Sequence, residues 1–167
     1  MAEKDTLFSS KIKYSGIFSF SDFYQFCYDW LTEETGLIVI ENKYAEKLSG
    51  TSKNIDVEWT GTREVTDYFK YEIKVAFKIT ALEKVEIKQD DVKVSTNKGS
   101  VEIKIKGTLI KDYKGKFEID AFRKFLRSIY EKWVITSRIV HFEEKLNEDC
   151  NEFLNQAKAY LDLEGKK

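Results

Sequence analysis

Between Leu37 and Tyr113 apolar and polar residues alternate, whereas on both sides of that stretch apolar residues also recur at steps of three and four. A period of two sends successive side chains to opposite faces of a strand, and steps of three and four gather them on one face of a helix. Strands of an all-parallel sheet, covered on both faces, would read as continuous apolar runs; alternation instead predicts an antiparallel sheet with one buried and one wet face.

Within the alternating region Ile38, Ile40 and Tyr44 fall on one side of the first strand, with Leu48 further along on that side. Ser49-Gly50-Thr51-Ser52 has turn composition, and the next strand puts Ile55, Val57, Trp59, Gly61, Arg63 and Val65 on one face. Thr66-Asp67 closes a hairpin into Phe69, Tyr71, Ile73, Val75, Phe77 and Ile79. The alternation stumbles at Ala81-Leu82, which predicts a bulge or sharp bend. Gln89-Asp90-Asp91 and Asn97-Lys98-Gly99 read as turns around a short strand from Val92 to Ser95, and Val101, Ile103, Ile105, Gly107 and Leu109 form the last strand. Gly61 and Gly107 share the apolar face and leave room there for a helix side chain, a ligand or a sharp coil of the sheet, helix packing being the usual reason.

The flanks read as strand and helices. Leu7 to Ile17 is β-like, and Ser19-Phe20-Ser21-Asp22 matches a capping box opening a helix from about 21 to 35. That helix gathers Phe23, Phe26, Cys27, Trp30 and Leu31 on one face, and Gly36 supplies its stop. At the other end, residues 117–163 return to helical spacing and are expected to cover the sheet. Phe122, Phe125, Leu126, Ile129 and Trp133 form one stripe; Ile135, Ile139, Phe142, Leu146, Cys150, Phe153, Ala157 and Tyr160 form the next. The phase changes at Val134-Ile135-Thr136, a β-branched run of weak helix formers, where a kink or break is expected. Unbroken, the helix would be about 68 Å long, more than a domain of this size can cover, so part of it should protrude or find a partner.

The fold class expected is α+β: a curved antiparallel sheet of about five to six strands, packed on one face by an N-terminal helix and a long C-terminal helix, forming a single domain over residues 1–167. The element order resembles the helix-grip arrangement of the START and Bet v 1 superfamily, in which a curved sheet wraps a final helix around a hydrophobic cavity. The chain lacks that superfamily's glycine-rich loop signature, is one strand short, and has a single N-terminal helix. No functional residue is carried over from the resemblance.

Composition narrows the function classes. The chain has 167 residues, 42% of them hydrophobic, enough to fill a sizeable core without disulfides or metals. It has no proline, where average usage predicts roughly eight, so proline-rich linkers and docking segments are excluded. The net charge of -1 gives no global field towards nucleic acid or an anionic membrane. No run of apolar residues is long enough to span a membrane, and the N-terminal residues do not read as a signal peptide. Two distant cysteines, Cys27 and Cys150, make neither a disulfide framework nor a zinc site, and a cytoplasmic setting with reduced thiols is the simpler expectation.

Candidate chemistry is sparse. His141 is the sole histidine, so triads and multi-histidine metal sites have at most one centre. Carboxylates such as Glu58, Glu64, Glu143, Glu144 and Glu148 are interleaved with lysine or face solvent by their pattern. No phosphate-binding, nucleophile-elbow or metal-binding motif is present. The lysines Lys104, Lys106, Lys111, Lys114 and Lys116 near Tyr113 and Phe117 are diluted by Glu102, Asp112 and Glu118, which favours a solvated face over a nucleic-acid footprint.

The leading expectation is a non-enzymatic structural or assembly protein without cofactor or metal. It would associate with itself or another protein through Ile135, Ile139, Phe142, Leu146, Phe153 and Tyr160 of the long helix. The alternative is a binding protein for a hydrophobic small molecule. Trp59, Arg63, Phe69, Tyr71 and Phe77 would then line a cavity under that helix. In that setting the Arg63 guanidinium would either hold an anionic head group or reach out of the apolar face at the strand end.

Overall fold

The computed structural model describes residues 3–114, 121–129, 132 and 136–165. In chain order the elements are β1 (Glu3–Phe18), α1 (Phe20–Asp29), β2 (Ile38–Ser49), β3 (Ser52–Glu64), β4 (Phe69–Gln89), β5 (Val92–Lys111), α2 (Ala121–Ile129) and α3 (Thr136–Gly165), with a π-helical turn over Trp30–Glu34 extending α1. The strands form one five-stranded sheet in the order β1-β5-β4-β3-β2, antiparallel at every junction and open at its β1 and β2 edges. This is the α+β architecture that the alternation predicts, with α1 carrying the chain from one edge of the sheet to the other.

Local chemistry sets the boundaries. The Ser19 hydroxyl accepts a hydrogen bond from Asp22 N at 3.5 Å and Ser19 O accepts from Phe23 N at 3.0 Å, so the expected cap opens α1. Gly36, at φ 71°, ends the helical segment in the left-handed conformation that glycine adopts without penalty. In the β3–β4 turn, the Thr66 hydroxyl accepts from the backbone N–H groups of Tyr68 and Phe69. Asp90 and Asp91, at φ 51° and 62°, make the tight β4–β5 turn, a conformation that short polar side chains tolerate.

The apolar face of the sheet carries α1 and α3. Helix α3 lies across β1 and β5 and touches α1. Ile55, Val57, Trp59, Ile73, Val75, Ile103, Ile105 and Leu109 from the sheet, Phe23 and Leu31 from the first helical segment, and Leu146, Cys150, Phe153, Ala157 and Leu161 from α3 form one continuous core. Both glycines of the apolar face are explained by close approach, of a helix side chain at Gly107 and of the loop residue Leu37 at Gly61. A Cβ on Gly107 would lie 2.7 Å from Cys150 Sγ, and one on Gly61 would lie 3.1 Å from Leu37 Cδ1.

Three expectations are corrected. A register shift between Glu41 and Lys43 moves the later half of β2 into the other phase. Ile38 and Ile40 pair with Thr62 and Thr60 on the polar face, whereas Tyr44 and Leu48 lie on the apolar side; all four are exposed on this edge strand. A simple count of alternation cannot see a bulge inside a strand.

Second, Asn97-Lys98-Gly99 is not a turn. It lies within β5, pairing with Phe18, Ile17 and Gly16 on one side, so Val92–Ser95 and Val101–Leu109 belong to a single strand. The residues are there because of the bulge that does occur at Ala81-Leu82, where Ala81 has φ 55° and the β4–β5 register shifts. A Cβ on Gly99 would meet Leu82 Cα, Thr80 O and Ala81 O at 3.1–3.2 Å, so the bulged backbone crowds the position. Asn97 Oδ1 accepts from Phe20 N at 3.1 Å, tying the start of α1 to β5.

Third, the stripe of α2 does not cover the sheet. Phe122, Phe125, Leu126 and Ile129 are 67%, 58%, 39% and 38% exposed. The expected kink at residues 134–136 falls largely on residues 133–135, outside the described residues; α3 begins at Thr136.

Candidate functional site

Three surfaces could carry function: the space between sheet and helices, the C-terminal helical region, and the polar face of the sheet. The first is densely occupied by side chains. Trp59, Phe69, Tyr71 and Phe77 are buried in the core. The Trp59 ring packs edge-on against Tyr24, Tyr28 and Phe77 with centroids 4.8–5.9 Å apart, and Phe69 packs on Phe142 at 5.1 Å. Tyr71 Oη donates to Phe142 O at 2.8 Å, pinning α3 to the sheet, and burial pushes its pKa up to about 12.

Arg63 leaves this group. It shares a face with Tyr71, its register partner, yet its side chain reaches out to the end of the first helical segment. Nη1 donates to Thr35 O at 3.0 Å, and the guanidinium lies over Gly36. A cation at a helix C-terminus complements the carbonyl dipoles there. Arg63 therefore closes the helix as a structural cap, which the phase of β3 alone could not reveal.

The residues expected at a partner interface mostly face inward. Leu146 and Phe153 are buried, and Ile139, Phe142 and Tyr160 are half-buried against the core. Tyr160 stacks on Phe26 at 4.6 Å and contacts Phe23 at 5.8 Å. Ile135 lies outside the described residues. Among the described residues, the large apolar side chains of this region that remain open are the four of α2, together with Val140 and Leu163 at 48% and 65% exposure. Sequence spacing had marked the α2 stripe as helical; only the packing shows that nothing among the described residues buries it.

The polar face holds an open trough of about 850 Å³. Lys11, Lys74, Lys104 and Lys106 surround it with Ser9, Asn42, Glu58, Thr60 and Ala76. Lys11 faces Lys104 across β1–β5 and Lys74 faces Lys106 across β4–β5, two like-charge pairs directly opposite each other.

His141 is exposed and lies beside Phe142. Cys27 and Cys150 are both free and buried; burial pushes the Cys27 thiol well above its ordinary range, while burial and then the charge of Asp149 push Cys150 up to about 12. Among the described residues, no group of three or more His, Cys, Asp or Glu could hold a metal ion, and no helix is long and apolar enough to cross a membrane. The chain matches no protein-family model, no curated protein and no solved structure.

Proposed function

We propose that the protein is a non-enzymatic association protein of the cytosol, a folded α+β platform that joins a second copy of itself through its C-terminal helical region. The observation that carries this reading is α2, in which every described side chain is exposed and Phe122, Phe125, Leu126 and Ile129 recur at helical spacing. Fully covering an exposed apolar side chain of this size is worth about 1.5–3 kcal/mol, and Phe122 and Phe125, at 67% and 58% exposure, have the most left to gain by association. Edge strand β2 adds Ile38, Ile40, Tyr44 and Leu48, exposed beside unpaired backbone groups that can accept a further strand. The buried, reduced thiols support the cytosolic setting.

Native mass spectrometry and light scattering of the full chain, up to about 100 μM, test the proposal. The wild type is expected to be oligomeric, and the Phe122→Asp/Phe125→Asp variant monomeric with unchanged circular dichroism. A wild type that stays monomeric overturns it, as does a variant that oligomerises equally well.

A further inference from the structure

We propose that the trough on the polar face of the sheet is a binding site for a compact polyanion of the polyphosphate class. Natural sheets avoid like charges directly across from one another, because such pairs destabilise the strands that carry them. Here two lysine pairs, Lys11 with Lys104 and Lys74 with Lys106, lie side by side on three adjacent strands. One more such pair, Lys88 with Lys93, stands alone at the hairpin end; only here do two pairs adjoin, and local rules are broken together at functional sites.

The acids nearby offset the charge only in part. Among the described residues, Glu58 is the one carboxylate lining the trough, against four lysines. Glu72 comes within 3.8 Å of Lys74, while Glu102 is 3.8 Å from Lys104 and also 3.9 Å from Lys13. Among the described residues, no ion pair holds Lys11 or Lys106. The local excess of positive charge sits on a chain whose net charge is -1, so it is a matter of placement rather than of composition.

The rest of the trough selects among anions. Ala76, directly opposite Lys104 and beside Glu58, leaves the floor low, and the rim carries the Ser9 hydroxyl and the Asn42 amide, whose oxygen accepts from Thr60 Oγ1. Trp59, Val75 and Ile105 underlie the floor, but their side chains are buried in the core on the far side. Among the described residues, no aromatic ring therefore lies in the trough to stack a base, which is how single-stranded nucleic acid is held. Lysines act as point charges suited to phosphate oxygens, and the volume is that of a small-molecule site.

Titration calorimetry of the full chain with sodium tripolyphosphate, at low and raised salt, provides the test. Binding is expected, weakening with salt and falling about tenfold or more in Lys106→Glu. Because Lys106→Glu sets a carboxylate opposite Lys74, its thermal midpoint should equal or exceed that of the wild type, which separates loss of the site from loss of fold. Lys88→Glu is the matched control: it makes the same charge change against Lys93 on the distant hairpin end and should leave binding intact. Absence of tripolyphosphate binding overturns the proposal. So does an equal loss in the two variants, or a single-stranded oligonucleotide that tripolyphosphate cannot displace. The outcome is independent of association through α2.

Discussion

Replacing Gly107 by alanine tests how closely α3 is fitted to the sheet. Gly107 has an ordinary strand backbone, so in isolation alanine should help: it lowers the entropy of the unfolded chain and is worth about 0.4–1 kcal/mol. The structure reverses the sign. The new methyl would stand 2.7 Å from Cys150 Sγ, 3.4 Å from Leu146 Cγ and 3.5 Å from Phe8 Cβ. Cys150 and Leu146 are both fully buried, so relief requires α3 to lift or side chains to leave their rotamers. Overpacking of this kind costs about 1–3 kcal/mol, which for a chain of this length lowers the thermal midpoint by roughly 2–4 °C per kcal/mol. Cys150→Ala alone should also destabilise, by about 1 kcal/mol, through lost burial and a small cavity. In the double variant the methyl introduced on β5 fills the space the sulfur leaves, so the two costs should not add; a coupling of about 1–2 kcal/mol in favour of the pair is expected. Urea unfolding followed by circular dichroism measures all four corners of the cycle. A Gly107→Ala protein as stable as the wild type, or strict additivity, would show that α3 does not pack on β5 in this register.

Two further predictions concern ionisation. Neither Cys27 nor Cys150 should react with a thiol reagent at mildly alkaline pH in the folded protein, because burial raises both pKa values and closes access; a fast stoichiometric reaction before unfolding would contradict this. Tyr24, Tyr71 and Tyr160 are each raised from 10.0 to about 12, chiefly by burial, and the more exposed Tyr44 to about 12 by partial burial and its hydrogen bond to Glu46, so the folded-state pKa values exceed the unfolded ones. Their contribution to stability is fully present below pH 10 and is lost as pH rises towards 12. Tyrosinate absorbance should therefore rise together with loss of circular dichroism over that interval, and titration of all four near pH 10 with the fold intact would refute the assignment.

Much of the architecture was legible in the sequence because it is encoded by local periodicity. The period-two face of Phe69 to Ile79, the cap at Ser19 and the stop at Gly36 each state a backbone conformation within a few residues, and each is found where it was expected. The stumble at Ala81-Leu82 was visible for the same reason. What a single strand cannot encode is its neighbour. Gly99 looked like a turn residue because glycine serves turns and close approaches alike, and only the register with the bulge of β4 separates the two. The shift at Glu41–Lys43, which puts Ile38 and Tyr44 on opposite faces, is likewise a property of the β2–β3 pair.

The surfaces depended still more on tertiary structure. Helical spacing assigned an apolar face to both C-terminal stripes, but spacing does not say which face finds the sheet: Leu146 and Phe153 do, Phe122 and Phe125 do not. The apolar strand phase of Arg63 leaves two readings, a ligand anchor or a side chain reaching out at the strand end; it reaches out, and what it meets there, the end of the helical segment at Thr35, is set by tertiary structure. The lysine trough draws on β1, β4 and β5, with Lys11, Lys74 and Lys106 far apart along the chain. Each lysine alone reads as a solvated strand residue. Strand order brings them into facing pairs, and that juxtaposition arises only when the sheet closes its hydrogen bonds between strands distant in sequence.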